Sequence, residues 1–254
     1  MATVITHFYN EEYLLPRWLE HHKKYFTDGV LIDYASTDNS VAICREICPT
    51  WQIFQSGFTE FDAADCDYEV MFYERQMRGW RIALTVTEFL VGDPLKLMFD
   101  TDARAQWYIP GIRFTKWDPD GVLDDRPLWE QITTGVSPET NPIAHSCRSL
   151  HNFNDINYKN ADGSGSAAGR HYNPPNTHDV MIFHYAHCIV GEPMIKRRLQ
   201  VQNKVSLQNR QEGLGTHHYF DAGGLNRENL HQMHHQFIAQ GESDCSNYIN
   251  RVIK

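Results

Sequence analysis

Short apolar runs in this chain end twice on polar turns carrying side chains able to bind a ligand. Residues 2–8 lead into Tyr9-Asn10-Glu11, and residues 29–33 end on Asp33, followed by Tyr34-Ala35-Ser36-Thr37-Asp38. A buried strand that stops in such a turn and feeds a helix leaves backbone amides and short side chains at the carboxyl edge of a parallel sheet. Open α/β folds bind ligands at that edge. The chemistry offered is hydrogen bonding: Phe8, Tyr9, Asn10 and Glu11 as a cradle for a base or ribose, and Asp33 as an acceptor from a uracil-like ring or a ribose hydroxyl. The sequence has no G-x-G-x-x-G and no Walker lysine loop, so dinucleotide and P-loop readings lack their glycines.

Other groups carry different chemistry. Asp100-Thr101-Asp102 follows the apolar run Leu97-Met98-Phe99; two carboxylates at that spacing suit a divalent cation, and equally a solvated turn. Lys196, Arg197 and Arg198 lie on a basic-faced helical stretch and can meet phosphate oxygens. Of the 14 histidines, His231, His234 and His235 form H-x-x-H-H, which lacks the glutamate of a hydrolytic zinc helix, so ordinary surface or core histidines are the plainer reading. Cys44 and Cys48 stand one helical turn apart with no second pair at zinc-finger spacing, which reads as buried thiols.

The elements that position these groups alternate strand and helix through the first ninety residues, the pattern of a mostly parallel sheet with helices on its faces. Strands are expected at residues 2–8, 29–33, 51–54 and 80–84. Leu15, Trp18, Leu19 and His22 recur at helical spacing, Ser36 to Ser40 supplies N-cap chemistry for a helix to about Ile47, and Tyr68, Phe72 and Met77 mark a third helix halted at Gly79. Past residue 90 proline, glycine and aspartate punctuate the chain, which suits loops; regularity returns with a strand at residues 180–185 and a helix from Glu192 to about Lys204. Residues 160–169 (NADGSGSAAG) are the most flexible by composition. The 254 residues suit a single domain, with residues 1–90 as a nucleotide-binding half and 91–254 as an acceptor-side half. The net charge of -9 opposes general attraction to nucleic acid or an anionic membrane. No leader pattern and no long apolar run are visible, so a soluble, cytoplasmic protein is expected.

The run T-H-F-Y-N-E-E-Y-L-L-P-R-W-L-E-H-H, followed by L-I-D-Y-A-S-T-D-N-S, resembles the opening of family 2 glycosyltransferases. The likeness is good over residues 3–48 and extends to Phe89. It implies a GT-A-type, Rossmann-like α/β fold with a loop-rich C-terminal acceptor side. It also implies transfer of a sugar from a nucleotide-sugar donor to a glycan or other hydroxyl acceptor, with Phe8, Tyr9, Asn10, Glu11 and Asp33 on the nucleotide side. Ala35 stands where the family usually has glycine. The stretch Thr85-Val86-Thr87-Glu88-Phe89-Leu90 resembles the family's D-x-D-E-F-L with both aspartates replaced by threonine. On that likeness Glu88 is preferred to Asp100 and Asp102 as the carboxylate for Mn²⁺ or Mg²⁺. His184, in a His-Tyr pair like one that relatives place beside the diphosphate, is its expected partner.

Inverting transfer needs a carboxylate base near the acceptor hydroxyl. Asp118, Asp120, Asp124, Asp125 and Glu130 are the candidates, with Asp125 and Glu130 preferred. Trp117 and Trp129 are available to stack on sugar faces, although the same segment also reads as an exposed acidic loop with two core tryptophans. Arg148 and His151 are expected to line that cleft. The alternatives to a transferase are a nucleotide-sugar-binding protein without catalysis and a histidine-rich metal hydrolase.

Overall fold

The computed structural model describes residues 2–99, 106–137, 148–153, 175–213, 218–219 and 224–253. Within them the chain builds two sheets. The first holds β1 (Ala2–Phe8), β2 (Asp28–Asp33), β3 (Gln52–Gln55), β4 (Trp80–Ala83), β6 (Gln106–Ile109) and β9 (Arg148–His151), in the order β3-β2-β1-β4-β9-β6. Its first four strands are parallel; β9 runs antiparallel to both β4 and β6. The second holds β5 (Glu88–Gly92), β7 (Gly111–Asp118), β8 (Thr134–Val136), β10 (Val180–Val190) and β11 (Ser243–Asp244), in the order β11-β8-β7-β10-β5. The fold is therefore α/β with a mostly parallel central sheet flanked by helices, as expected.

The inner strands β1 and β2 of the first sheet are buried on both faces, which is why they read as near-continuous apolar runs. Val4, Phe8, Leu31, Ile82 and Leu84 share one core with Leu15, Trp18, Leu19 and Cys44 of α1 (Leu15–His22) and α2 (Ser40–Ile47). Ile5, Val30, Ile32 and Ala83 share the other with Cys66, Val70 and Met71 of α3 (Ala63–Glu74). Gly29 is required by close packing, since a Cβ there would lie 2.1 Å from the Trp51 indole.

From β1 the chain moves to β2 and β3 on one side, whereas β4 lies on the other. The strand order therefore reverses between β1 and β4, and a crevice opens at the carboxyl ends of such a pair.

The structure corrects three expectations. Helix α3 ends at Glu74, and it buries Cys66 and Val70 at i, i+4 while Tyr68 and Phe72 stay 59% and 52% exposed. Two aromatic residues one turn apart thus mimic a core stripe on the solvent side. Beyond residue 90 the chain is more regular than its punctuation suggests, because short strands paired over long separations leave little local periodicity. Strand β10 continues to Val190 through an irregularity between His184 and His187, well past residue 185. The remaining helices are α4 (Pro94–Phe99), α5 (Leu128–Gln131), α6 (Gly191–Gln200), α7 (Leu207–Gln211), α8 (Arg227–Ile238) and α9 (Ser246–Val252), with a 3-10 turn at Val201–Lys204. No helix among the described residues is long and apolar enough to cross a membrane. Asp100, Asp102 and residues 160–169 lie outside the described residues.

Candidate functional site

At the carboxyl edge of the first sheet the loops after β1 and β2 are laced together. Asn10 takes a left-handed conformation (φ 50°) and its Oδ1 accepts from the backbone N–H groups of Thr37 (2.7 Å) and Asp38 (3.3 Å). The Asn10 N–H donates to Ser36 Oγ (3.0 Å), the Glu11 N–H to Ser40 Oγ (2.8 Å) and the Glu12 N–H to Asp38 Oδ2 (3.1 Å). Short polar side chains here replace backbone pairing where the strands have ended. Ala35 is also left-handed (φ 59°), the conformation for which glycine is the unstrained residue.

Asp33 sits in the middle of this lacing, 5% exposed, with Oδ1 accepting from the Ser36 N–H at 2.9 Å. Among the described residues its Oδ2 has no hydrogen-bond donor. One oxygen orients the carboxylate and the other is left to accept from a ligand.

Helix α6 closes over the same edge. Arg197 grips Glu11 through two bonds, Nε to Oε2 at 2.5 Å and Nη2 to Oε1 at 2.6 Å. Gln200 Nε2 donates to the Asn10 carbonyl (2.7 Å), and Lys204 Nζ lies 4.5 Å from the centre of the Tyr9 ring. Burial pushes the Glu11 carboxyl up, against the pull of Arg197. Burial also lowers Arg198 to about 10, with Arg197 beside it adding to the effect. Of the residues expected to cradle a nucleotide, Asn10 and Glu11 spend their side chains on the fold, Phe8 is core at 2% exposure, and Tyr9 and Asp33 remain presented at the edge.

A second polar group lies where β4 gives way to β5. Glu88 opens β5, five residues after Ala83 ends β4, and it is fully buried. Its Oε2 accepts from the Thr85 N–H (2.9 Å) and from Arg148 Nε (2.8 Å), with Arg148 Nη2 at 2.5 Å. Thr85 and Thr87 hydroxyls meet at 3.0 Å, and His184 stands opposite Glu88 in the β10–β5 register. His7, packed edge-on against Tyr34, faces the same pair; burial first and Arg148 second push it down to about 4, with Glu88 pulling the other way. Among the described residues no three His, Cys, Asp or Glu side chains converge as ligands. A carboxylate whose charge is already met by a buried guanidinium does not fit a resident Mg²⁺ or Mn²⁺, which prefers anionic oxygen ligands.

Helix α1 explains the W-x-x-H-H run. Strand β5 is the outer strand of its sheet, and its outward backbone groups need partners. Trp18 Nε1 donates to the Glu88 carbonyl (2.9 Å), His21 Nε2 to the Leu90 carbonyl (2.7 Å), and the Leu90 N–H donates to His22 Nε2 (3.2 Å). His22 must therefore be neutral, its Nδ1 donating to the Trp18 carbonyl at 2.9 Å. Three helix side chains thus stand in for a missing strand.

On the other flank of α1, a cleft of about 420 Å³ is walled by Tyr13, Arg17, His21, Lys24, Asp125 and Trp129. Arg17 anchors its rim by donating to the Asp124 and Arg126 carbonyls (2.5 and 3.1 Å). Asp125 lines this cleft, and Glu130 is exposed on α5. Arg148 and His151 do not join them: both lie on β9, buried, paired with Glu88 and with Glu74 (3.1 Å). Sequence reasoning missed the Arg148–Glu88 pair and His7. The signal available was a charged residue inside a strand-like run, which demands a buried partner without naming it.

No protein-family model matches the sequence, and no curated protein matches it. Solved structures similar to it include S. aureus TarS 1–349, at 14% identity over 94% of this chain and 71% of that one, with a TM-score of 0.39. Its complex with UDP-GlcNAc gives 14% identity, 94% and 72% coverage and a TM-score of 0.37. Against the longer TarS structure, the chain covers 23% of that protein's length at 17% identity and a TM-score of 0.31. Likeness at this level assigns this chain neither a role nor a residue.

Proposed function

We infer that the chain binds a nucleoside-diphosphate sugar at the carboxyl ends of β1, β2 and β4 and transfers the sugar to a hydroxyl acceptor as a glycosyltransferase. The observation that carries this reading is Asp33: nearly buried, oriented through one oxygen, and open through the other at an edge beside the strand-order reversal. Tyr9 supplies an aromatic face next to it, and Lys204 and Arg198 supply positive charge for phosphates. Titration calorimetry with UDP and a panel of other nucleoside diphosphates tests the reading. Asp33→Ala should weaken the best ligand by about 1.5–3 kcal/mol, the usual worth of a hydrogen bond to a charged group. Undiminished affinity in a folded variant removes the proposal's main support.

In this reading Asp125 is the proposed acceptor base, since its cleft contains the aromatic faces of Tyr13 and Trp129; Glu130 is the second candidate. Asp125→Asn should lower kcat by about 10²-fold or more, the contribution of a positioned base, with donor affinity unchanged. Any divalent cation is assigned to the donor's own diphosphate, so donor binding with and without Mn²⁺ or Mg²⁺ is part of the test. Of the expected Glu88–His184 pair, His184 is the member proposed to stand beside that diphosphate, Glu88 being taken by Arg148.

One observation favours a second reading, a nucleotide-sugar-binding protein without catalysis: with threonines at 85 and 87 and the guanidinium on Glu88, the described residues show no carboxylate pair at this edge. Transfer or hydrolysis of the donor, measured as released nucleoside diphosphate, separates the two.

A further inference from the structure

Helix α8 carries the H-x-x-H-H run, and the structure divides its histidines between two faces. His234 is buried, with Nδ1 at 3.4 Å from the His187 carbonyl. His231 and His235 are both exposed, and four residues apart they lie one above the other on the helix surface. Their Nε2 atoms face each other at 3.0 Å, with ring centroids 4.4 Å apart and planes at 67°.

That separation is the bite of a chelate. Imidazole nitrogens bind first-row metals at about 2.0–2.1 Å. Two ligands at right angles about such an ion are therefore about 2.9 Å apart, whereas tetrahedral ligands would be about 3.4 Å apart. The observed pair fits adjacent positions of a tetragonal or octahedral ion. The backbone of one helix holds both rings, so little ordering is required on binding.

We propose that His231 and His235 form a bidentate surface site for a borderline transition ion, Cu²⁺ or Ni²⁺ in particular, completed by water. As it stands, the pair shares one N–H···N bond; on metal binding that proton moves to Nδ1 of its own ring, leaving both imidazoles neutral and both Nε2 lone pairs on the metal. Nitrogen ligands and the ordinary order of divalent affinities place Cu²⁺ and Ni²⁺ far above Mn²⁺ and Mg²⁺ here. The site is thus separate from any cation carried by a nucleotide and stands whether or not the glycosyltransferase reading holds.

Trp117 provides a built-in reporter, its ring centre 4.5 Å from that of His231. Titrating Cu²⁺ into the full chain should quench part of the tryptophan emission with saturation at one equivalent, and the Cu²⁺ paramagnetic resonance spectrum should show nitrogen coupling. His231→Asn and His235→Asn should each weaken binding by about tenfold or more. Exposed His178→Asn should leave it unchanged, and Trp117→Phe should remove the optical signal while keeping the nitrogen-coupled spectrum. Excess Mg²⁺ should not compete. Saturable binding that survives the His231→Asn/His235→Asn double variant, checked for folding by circular dichroism, overturns the assignment, as does the lack of any saturable phase in the unsubstituted chain.

Discussion

Asp33 and Glu88 are both carboxylates at the ends of the polar connections that surround β1, yet their surroundings treat the charge in opposite ways. Asp33 is met by a single backbone N–H, with one oxygen kept open. Glu88 is met by a guanidinium and a backbone N–H on the same oxygen, at zero exposure. A carboxylate compensated by a neutral donor at the sheet edge retains capacity for a ligand. One paired with a buried Arg is committed to holding two sheets together, because Arg148 belongs to β9 of the first sheet and Glu88 to β5 of the second.

The largest test of this contrast is Glu88→Gln. Removing one member of a buried ion pair strands the other, and Arg148 should then cost about 3–5 kcal/mol of stability. Chemical denaturation measures it, and the paired replacement Glu88→Leu/Arg148→Met should recover most of the loss. A Glu88→Gln protein of unaltered stability that no longer uses its donor would put Glu88 at the ligand edge and erase the contrast. Asp33→Ala should do the reverse, lowering nucleotide affinity as stated above while shifting the melting temperature little.

A third test concerns pH. His7 and His21 are both pushed down to about 4 from 6.5, chiefly by burial. The unfolded chain takes up protons near pH 6.5 and the folded chain does not until near pH 4. Stability is therefore whole above about 6.5, falls as pH drops toward about 4, and levels below that. His21→Gln, which keeps a donor toward the Leu90 carbonyl, should flatten the fall in melting temperature across that window. An unchanged slope would mean that His21 is not held neutral by burial. The smallest effect belongs to Ala35→Gly. Relief of the left-handed strain, less glycine's extra freedom in the unfolded chain, should stabilise by on the order of 0.5–1 kcal/mol.

The sequence by itself determined the alternating frame of the first ninety residues and the two turns that make the strand-end edge. Those features are local. An apolar run followed by Asn, Asp, Ser or Thr signals its own end, and the lacing joins residues only 26 to 29 positions apart. The same local reasoning placed Asp33 at its edge and identified Trp18 and His22 as residues of one helical face. It did not distinguish Asn10 and Glu11, which serve the fold, from Asp33, which keeps an oxygen open, because that depends on which amides of the neighbouring loop reach Asn10 and on the Arg197 that α6 brings to Glu11.

Only the tertiary structure decided the partners. Glu11 meets Arg197 across 186 positions, Leu90 meets His22 across 68, and Glu88 meets Arg148 across 60. Nothing local marks such pairs, since each is selected when two distant polar groups are buried at the same place and each supplies what the other lost on leaving water.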